Sequence, residues 1–231
     1  LGGFISGNDY LQNIDLNGGL TDSNIYLLFK NWTKAGSLKE LNLSFNNFGI
    51  DGIRSMMPFF KTSRNLTQIN ISENHNINTE CFRLLVEALH SGGTIESLYL
   101  GHCSIEDITA LENYPLPHLK ILTLGFNNIR SLPTSLENYT NLERLYLNSN
   151  KLGREGCRSI AKLLEKGGSR LKEIFLAATD TSDEEAVVIA NSLKFNTSLT
   201  NLYLDGNNFE EKGFAAFLKL LNDVSSIDST Y

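Results

Sequence analysis

The chain has 231 residues, of which 41% are hydrophobic and 20% are charged, and its formal net charge is −6. This apolar content argues against an intrinsically disordered chain, and the lack of a basic stripe in either half argues against nucleic acid as a partner. No run reaches the ~18 apolar residues that a membrane-spanning helix needs. Three scattered cysteines predict neither a disulfide framework nor a metal site.

Eight similar segments follow one another along the chain. Each opens with apolar residues at relative positions one, four and six, as in Leu38, Leu41 and Leu43. The segments begin at Leu11, Leu38, Leu66, Ile95, Leu119, Leu142, Leu171 and Leu199. Apolar residues at positions four and six, with polar residues between them, predict a short strand with one buried face. Strands that are each followed by a returning connection must pair in parallel.

Position nine lies where the chain leaves each predicted strand, and most segments carry asparagine there. An asparagine side chain both donates and accepts hydrogen bonds, so a stack of them can satisfy the backbone groups of neighbouring turns. Cys103 and Thr179 occupy this position in two segments. Because they supply only part of that bonding, we expect slightly weaker packing there.

The connections after position nine read mostly as helices, and we predict them over Arg154–Lys166, Asp183–Lys194 and Glu211–Asn222. The segments 95–118 and 119–141 are shorter and contain three of the four prolines, which oppose a long helix. We therefore expect short turns there and a local change of curvature near residues 105–141. Three segments share a glycine that would let a helix start lie close to the preceding coil, namely Gly52, Gly156 and Gly213.

This pattern, LxxLxLxxN/CxL, resembles the leucine-rich-repeat family over residues 11–226. Repeats near 28 residues with a full helix resemble its ribonuclease-inhibitor-like class. The resemblance implies an α/β solenoid, a horseshoe with a parallel sheet on the concave face and helices on the convex face. We expect one leucine-rich-repeat domain over residues 1–231. We also expect a fragment of a longer chain, because residues 1–10 and 227–231 read as parts of further repeats without polar caps.

The outward-facing residues of the strands are the candidate binding site. Position five is the central column of the concave sheet in this architecture, and four of its last five residues are aromatic. Aromatic residues and arginine are favoured at protein interfaces. The predicted anchors are Tyr99, Phe126, Tyr146, Phe175 and Tyr203, with Arg144 as the polar contact. In the alternative interpretation these aromatics stack across strands only to stabilise the sheet.

Motifs for catalysis are missing from the sequence. The four histidines have no second ligand at a zinc-binding spacing, and neither a phosphate-binding glycine loop nor a nucleophile elbow occurs. We therefore predict no enzyme activity, catalytic residue, metal, cofactor or small-molecule substrate. The predicted function is a protein-interaction scaffold that presents its concave sheet to a protein partner.

Two other functions stay open at this point. One is a GTPase-activating protein resembling the Ran-directed type, which has this kind of repeat. The other is the ligand-binding ectodomain of a secreted or cell-surface receptor, for which six Asn-x-Ser/Thr sequences would be glycosylation candidates. The repeat itself generates some of these sequences, and the three cysteines are unpaired. The interpretation we favour is therefore a cytoplasmic protein.

Overall fold

The computed structural model describes residue 8, residues 10–32 and residues 36–228. Eight three-residue strands form one parallel sheet, and each strand pairs with the next one along the chain. The strands are β1 (Asn13–Asp15), β2 (Glu40–Asn42), β3 (Gln68–Asn70), β4 (Ser97–Tyr99), β5 (Ile121–Thr123), β6 (Arg144–Tyr146), β7 (Glu173–Phe175) and β8 (Asn201–Tyr203). The predicted α/β solenoid is confirmed.

Helices connect the strands and form the opposite layer. They are α1 (Asp22–Phe29), α2 (Ile50–Thr62), α3 (Thr79–Gly92), α4 (Ala110–Asn113), α5 (Gly153–Glu165), α6 (Asp183–Ser192) and α7 (Glu211–Asp228). Two 3-10 helices, Thr134–Asn138 and Leu193–Phe195, complete this layer. Each full helix packs against its neighbour in the next repeat, as α2 does against α3. No helix in the described ranges is long and apolar enough to cross a bilayer.

The predicted helices are found close to their expected limits, with one difference at the end of the chain. Helix α7 runs to Asp228, so Ile227 belongs to a helix and does not open a ninth repeat. The sequence after Gly213 contains no glycine or proline that would end the helix earlier. Residues 1–7, 9 and 229–231, which were also read as parts of further repeats, lie outside the described residues.

The two short repeats have a thin convex layer. Helix α4 has only four residues, and the next connection contains only the 3-10 helix Thr134–Asn138. This confirms the short turns expected from the prolines of these repeats. The change of curvature near residues 105–141 stays a prediction.

The core lies between the two layers. The position-four residues of the first seven repeats, such as Leu41, Ile69 and Leu98, are buried, and Leu202 in the last repeat is partly buried. On the helical side, Trp32 stacks on Phe29 with 4.9 Å between ring centroids and lies 4.5 Å from the ring of Phe59. Burial of such large rings is a main source of the folding free energy in this kind of layer.

The asparagines at position nine bond neighbouring coils together. The amide of Asn46 donates to the carbonyls of Leu16 at 3.0 Å and Leu43 at 2.8 Å, and its oxygen accepts from the amide of Leu20 at 2.7 Å. Asn127 and Asn150 bond in the same manner. The position-nine asparagines therefore have a structural role, and two repeats carry another residue in this row.

The two exceptions in the ladder behave differently. The Thr179 hydroxyl is buried and donates to the Leu176 carbonyl at 2.9 Å, which replaces one asparagine bond. The Cys103 thiol lies 3.7 Å from the carbonyl oxygens of Ile71 and Gly101. The weaker bonding expected at position nine therefore applies to Cys103 more than to Thr179.

Candidate functional site

The position-five residues form a single column on the outward face of the sheet. Strand pairing aligns them in the order Asp15, Asn42, Asn70, Tyr99, Thr123, Tyr146, Phe175 and Tyr203. The neighbouring position-four residues point into the core, because successive side chains of a strand point to opposite faces. The column is therefore polar at its N-terminal end and mainly aromatic from β4 onward.

Three of the predicted anchors make one continuous stack. The rings of Tyr146 and Phe175 have centroids 4.2 Å apart and planes inclined by 11°. Those of Phe175 and Tyr203 are 4.1 Å apart and inclined by 8°. The fourth aromatic of the column, Tyr99, is separated from this stack by Thr123. The column is thus a three-ring stack with a lone tyrosine two strands away.

Phe126, the fifth predicted anchor, lies at position eight beside a second ring. It stacks on His102, with centroids 3.9 Å apart and planes inclined by 13°. Sequence reasoning treated His102 as an ordinary surface residue and so missed this pair. The sequence did contain a signal for this pair, since the two residues occupy position eight in adjacent repeats. Strands in register bring such side chains together.

Position eight also has an unusual backbone. Phe45 and Phe126 have φ angles of 56° and 57°, in the left-handed region. Glycine fills the same position in the first and last repeats, at Gly18 and Gly206. A non-glycine residue in this region costs roughly 1–2 kcal/mol. Yet these two phenylalanines remain 62% and 48% exposed, so core packing does not explain them.

Arg144 lies beside the aromatic stack but is already paired. Its Nε is 3.4 Å from a carboxylate oxygen of Glu173 on the next strand. Lys172 and Glu143 form a similar pair at 2.9 Å across the same two strands. The hydrogen bond from Lys172 lowers the pKa of Glu143. These acids therefore lie on the same side of the column as the basic residues.

Tyr146 begins the three-ring stack and is partly buried. Burial raises the pKa of its hydroxyl, and the nearby carboxylate of Glu173 adds to the effect. The hydroxyl is therefore protonated at neutral pH and is available as a hydrogen-bond donor beside the apolar stack. A rigid ring with one polar tip is well suited to a protein interface.

The three cysteine thiols are buried. Burial raises the pKa of Cys103 to about 12 and that of Cys157 to about 11, and Cys81 is raised as well. Thiols of this kind are protonated at neutral pH and are weak nucleophiles. Within the described part of the chain, no three His, Cys, Asp or Glu side chains come together as metal ligands would.

Comparison with known proteins agrees with this architecture. Two family models described as leucine rich repeat match residues 93–152 and 37–57. The mouse ribonuclease inhibitor is 27% identical over 90% of this chain and 48% of its own length. The human NACHT, LRR and PYD domains-containing protein 3 is 24% identical over 69% of this chain and 19% of its own length.

A solved internalin structure from Listeria monocytogenes covers 83% of this chain and 68% of that chain, with 18% identity and a TM-score of 0.44. The chain spans about half the length of the ribonuclease inhibitor and about a fifth of the NACHT protein. Both family models describe the repeat whose strands, turns and helices are set out above. The chain therefore has the leucine-rich-repeat fold, and its repeats are similar to those of the ribonuclease-inhibitor-like type.

Proposed function

We propose that the chain is an interaction module that binds a protein partner with the concave face of its sheet. Leucine-rich-repeat proteins generally act in protein–protein interaction. The observation that carries the proposal is the stack of Tyr146, Phe175 and Tyr203 on an outward-facing sheet surface. Clustered apolar area that faces outward usually marks an interaction site.

The exposed rings support this function more than sheet stabilisation alone. Cross-strand stacking accounts for the contacts between rings, including that of Phe126 with His102, but not for the 62% exposure of Phe45. The left-handed φ recurs at position eight of every repeat, so it belongs to the turn of the repeat, and the exposed rings themselves support the proposal. Stacked rings are held in place before binding, so little side-chain entropy is lost when a partner covers them. We assign the anchor role to Tyr99, Phe126, Tyr146, Phe175 and Tyr203.

Arg144 has the role of a polar contact in this proposal. Its pair with Glu173 is partly solvent-exposed, and pairs of this kind contribute about 0–1 kcal/mol to stability. A carboxylate of the partner can therefore replace Glu173 as the ion-pair partner of Arg144 at a small cost in free energy. One relative is named a ribonuclease inhibitor, and inhibition of an enzyme is a binding function. The proposal extends that kind of function to this chain, with no claim about the target.

The test is an affinity capture with two matched triple variants. The concave variant carries Tyr146→Ala, Phe175→Ala and Tyr203→Ala. The control carries Tyr26→Ala, Phe195→Ala and Phe214→Ala, which removes three exposed aromatics from the convex layer. Circular dichroism and the fluorescence of Trp32, the single tryptophan, check that both remain folded.

We expect proteins that the wild-type chain captures from source-cell extract to be lost by the concave variant and kept by the control. Truncation of each true anchor costs about 1–4 kcal/mol of binding free energy. Retention of the same proteins by the concave variant would assign the stack to sheet packing and would contradict the proposal.

We also propose a cytoplasmic location, which the three buried, unpaired thiols favour over an oxidising compartment. Mass measurement on natively expressed protein tests it. Of the Asn-x-Ser/Thr sequences, those at Asn31, Asn65 and Asn138 are exposed. Unmodified peptides at these three positions are expected, and a glycan at any of them would favour the secreted or cell-surface alternative.

A further inference from the structure

The chain leaves the first strand, β1, through an Asn-Gly step at Asn17 and Gly18. An asparagine that is followed by glycine can cyclise, because glycine has no side chain to shield its backbone nitrogen from the preceding carboxamide. The sequence contains no second Asn-Gly step. Two Asp-Gly steps, at Asp51 and Asp205, carry a carboxylate, which is a much poorer electrophile than a carboxamide. This chemistry therefore singles out Asn17.

The structure holds the backbone nitrogen of Gly18 less tightly than its counterparts. Gly18 occupies position eight of the first repeat, where the backbone amide donates to a carbonyl of the next repeat. The Gly18 amide donates to Ser44 at 3.2 Å, whereas the equivalent bonds of the next six repeats measure 2.8–3.0 Å. Gly18 and Gly19 have φ angles of 90° and 83°, and a Cβ added at either would meet nothing within 4 Å. The attacking nitrogen therefore has free space around it.

The Asn17 side chain is also free to react. It is exposed, and its carboxamide bonds no residue that the structure describes, although its backbone amide donates to Asp15 at 3.1 Å. Asn148 has the same position seven in the sixth repeat and differs in both respects. A Cβ added at Gly125 would lie 2.7 Å from Oδ1 of Asn148, so this carboxamide lies against the preceding repeat. The amide of the following Ser149 is held at 2.8 Å.

We propose that Asn17 is a site of spontaneous covalent modification in the folded chain. The Gly18 nitrogen attacks Cγ of Asn17 and forms a new N–C bond. The Cγ–Nδ2 bond breaks, and the side-chain nitrogen leaves as ammonia with the proton of the Gly18 amide. Water then adds to one of the two carbonyls of the succinimide ring and opens it to aspartate or isoaspartate. Water is the only co-reactant, and the step does not depend on the proposed concave-face function.

The products would change the first edge of the sheet. Both add a negative charge beside Asp15, and isoaspartate also inserts an extra methylene into the backbone. The bonds on either side of the modified residue run from Leu16 to Asn42 at 2.9 Å and from Gly18 to Ser44. These two bonds are spaced for an ordinary backbone, so isoaspartate cannot keep both in register. We therefore expect weaker pairing of β1 with β2.

The test is incubation of the purified, folded chain at pH 8, followed by peptide mapping with mass spectrometry. Gly18→Ala places a methyl group beside the attacking nitrogen. Gly19→Ala is its matched control, because it has the same left-handed backbone and the same free space. Ser149→Gly creates a second Asn-Gly step at Asn148, and its φ of 56° suits glycine. Circular dichroism checks that the variants remain folded.

We expect conversion of Asn17 in the wild type, and conversion at least 10-fold slower at Asn148 in Ser149→Gly. Gly18→Ala should slow the reaction of Asn17 at least 10-fold, and Gly19→Ala should change its rate less than 3-fold. The modified protein, separated by anion exchange, should show faster hydrogen exchange at the amides of Leu16 and Gly18.

Each measurement has an outcome that would overturn the inference. If Asn17 stays intact in the folded chain, the site is not reactive, and reaction in urea would assign its protection to the fold. Equal rates at Asn17 and at Asn148 of Ser149→Gly would contradict the distinction between the two turns. An unchanged rate in Gly18→Ala would exclude attack by the Gly18 nitrogen. Unaltered hydrogen exchange in the modified protein would contradict the weaker pairing of β1.

Discussion

At the residue scale, two aspartates show how one repeat stabilises the start of the helix in the next repeat. Oδ1 of Asp183, the first residue of α6, accepts hydrogen bonds from the amides of Glu210 and Gly213, both at 2.7 Å. Asp22 at the start of α1 bonds the amides of Gly49 and Gly52 at 2.8 and 2.6 Å. In each case a carboxylate in one repeat caps the first turn of the following helix, whose amides lack partners within that helix.

Asp183→Ala should therefore lower the free energy of unfolding by about 1–2 kcal/mol, because the first turn of α7 loses its acceptor. Asp183→Asn keeps an oxygen in the same place and should lose less than half of that. Urea unfolding followed by circular dichroism measures both. Asp205→Ala, an exposed aspartate on the concave face, is the control, with an expected change within about 0.5 kcal/mol. Equal losses for Ala and Asn at position 183 would contradict the capping role.

Cys103 predicts a dependence of stability on alkaline pH. Its pKa in the folded chain is raised by burial from an ordinary value near 9 to about 12. Below pH 9 the thiol is protonated in both the folded and the unfolded chain. Its contribution to the free energy of unfolding is therefore fully present there. As the pH rises from 9 towards 12, the unfolded chain loses this proton first, and the contribution is lost.

Between pH 7.5 and pH 10.5, the wild-type chain should lose about 2 kcal/mol of unfolding free energy through Cys103 alone. Cys103→Ala removes the loss that is due to this thiol. Three other groups with raised pKa values contribute equally to the wild type and the variant, namely Cys81, Cys157 and Tyr139. Urea titrations of the two proteins at both pH values measure the difference. An equal alkaline loss in the variant would show that the thiol is not protected as the structure indicates.

At the scale of elements, the close approach of neighbouring coils depends on particular glycines. A Cβ added at Gly92, the last residue of α3, would lie 2.8 Å from the carbonyl oxygen of Phe60 and 3.0 Å from that of Ser63. Both oxygens belong to the backbone of the preceding repeat. At Gly167, in a second Gly-Gly pair, an added Cβ would meet nothing within 4 Å.

Gly92→Ala should therefore destabilise the protein by about 1–3 kcal/mol, since the two coils must move apart. Helix propensity alone would give the opposite sign, a gain of about 0.5–1 kcal/mol. Gly167→Ala is the matched control and should change stability by less than about 0.5 kcal/mol. Thermal or urea unfolding measures the pair, and a stabilised Gly92→Ala variant would disprove the tight contact.

The strands were predictable from the sequence because the same pattern of apolar residues occurs in all eight repeats. The order of position-five residues from Asp15 to Tyr203 follows from aligning the repeats on their first apolar residue, and strand pairing has this register. Helix ends were less predictable. Helix α7 continues past Asn222 because local sequence signals, rather than the repeat, decide where a helix stops.

The contacts between side chains on the concave face could not be predicted from the sequence. Alignment indicates that His102 and Phe126 are neighbours, but their stacking and the pairing of Arg144 with Glu173 depend on rotamers. A long side chain such as that of Arg144 has several candidate partners within reach on adjacent strands. The packing of the whole surface decides among them.

At the scale of the whole molecule, the described residues form two unlike surfaces. The helical layer is thick in the ribonuclease-inhibitor-like repeats and thin around α4, while the sheet continues without interruption through eight strands. Aromatic side chains gather on the C-terminal half of that sheet, and the N-terminal column is polar. If the proposed concave face binds a partner across several repeats, we expect the backbone to change little on binding.

The most direct test of concave-face recognition is the dissociation constant of one captured partner for two single variants. Phe175→Ala removes the middle ring of the stack, and Phe195→Ala removes a ring that is 87% exposed outside the sheet. Isothermal titration calorimetry should show binding at least 10-fold weaker for Phe175→Ala and unchanged within 3-fold for Phe195→Ala. Equal affinities for the wild type and Phe175→Ala would contradict recognition through the aromatic stack.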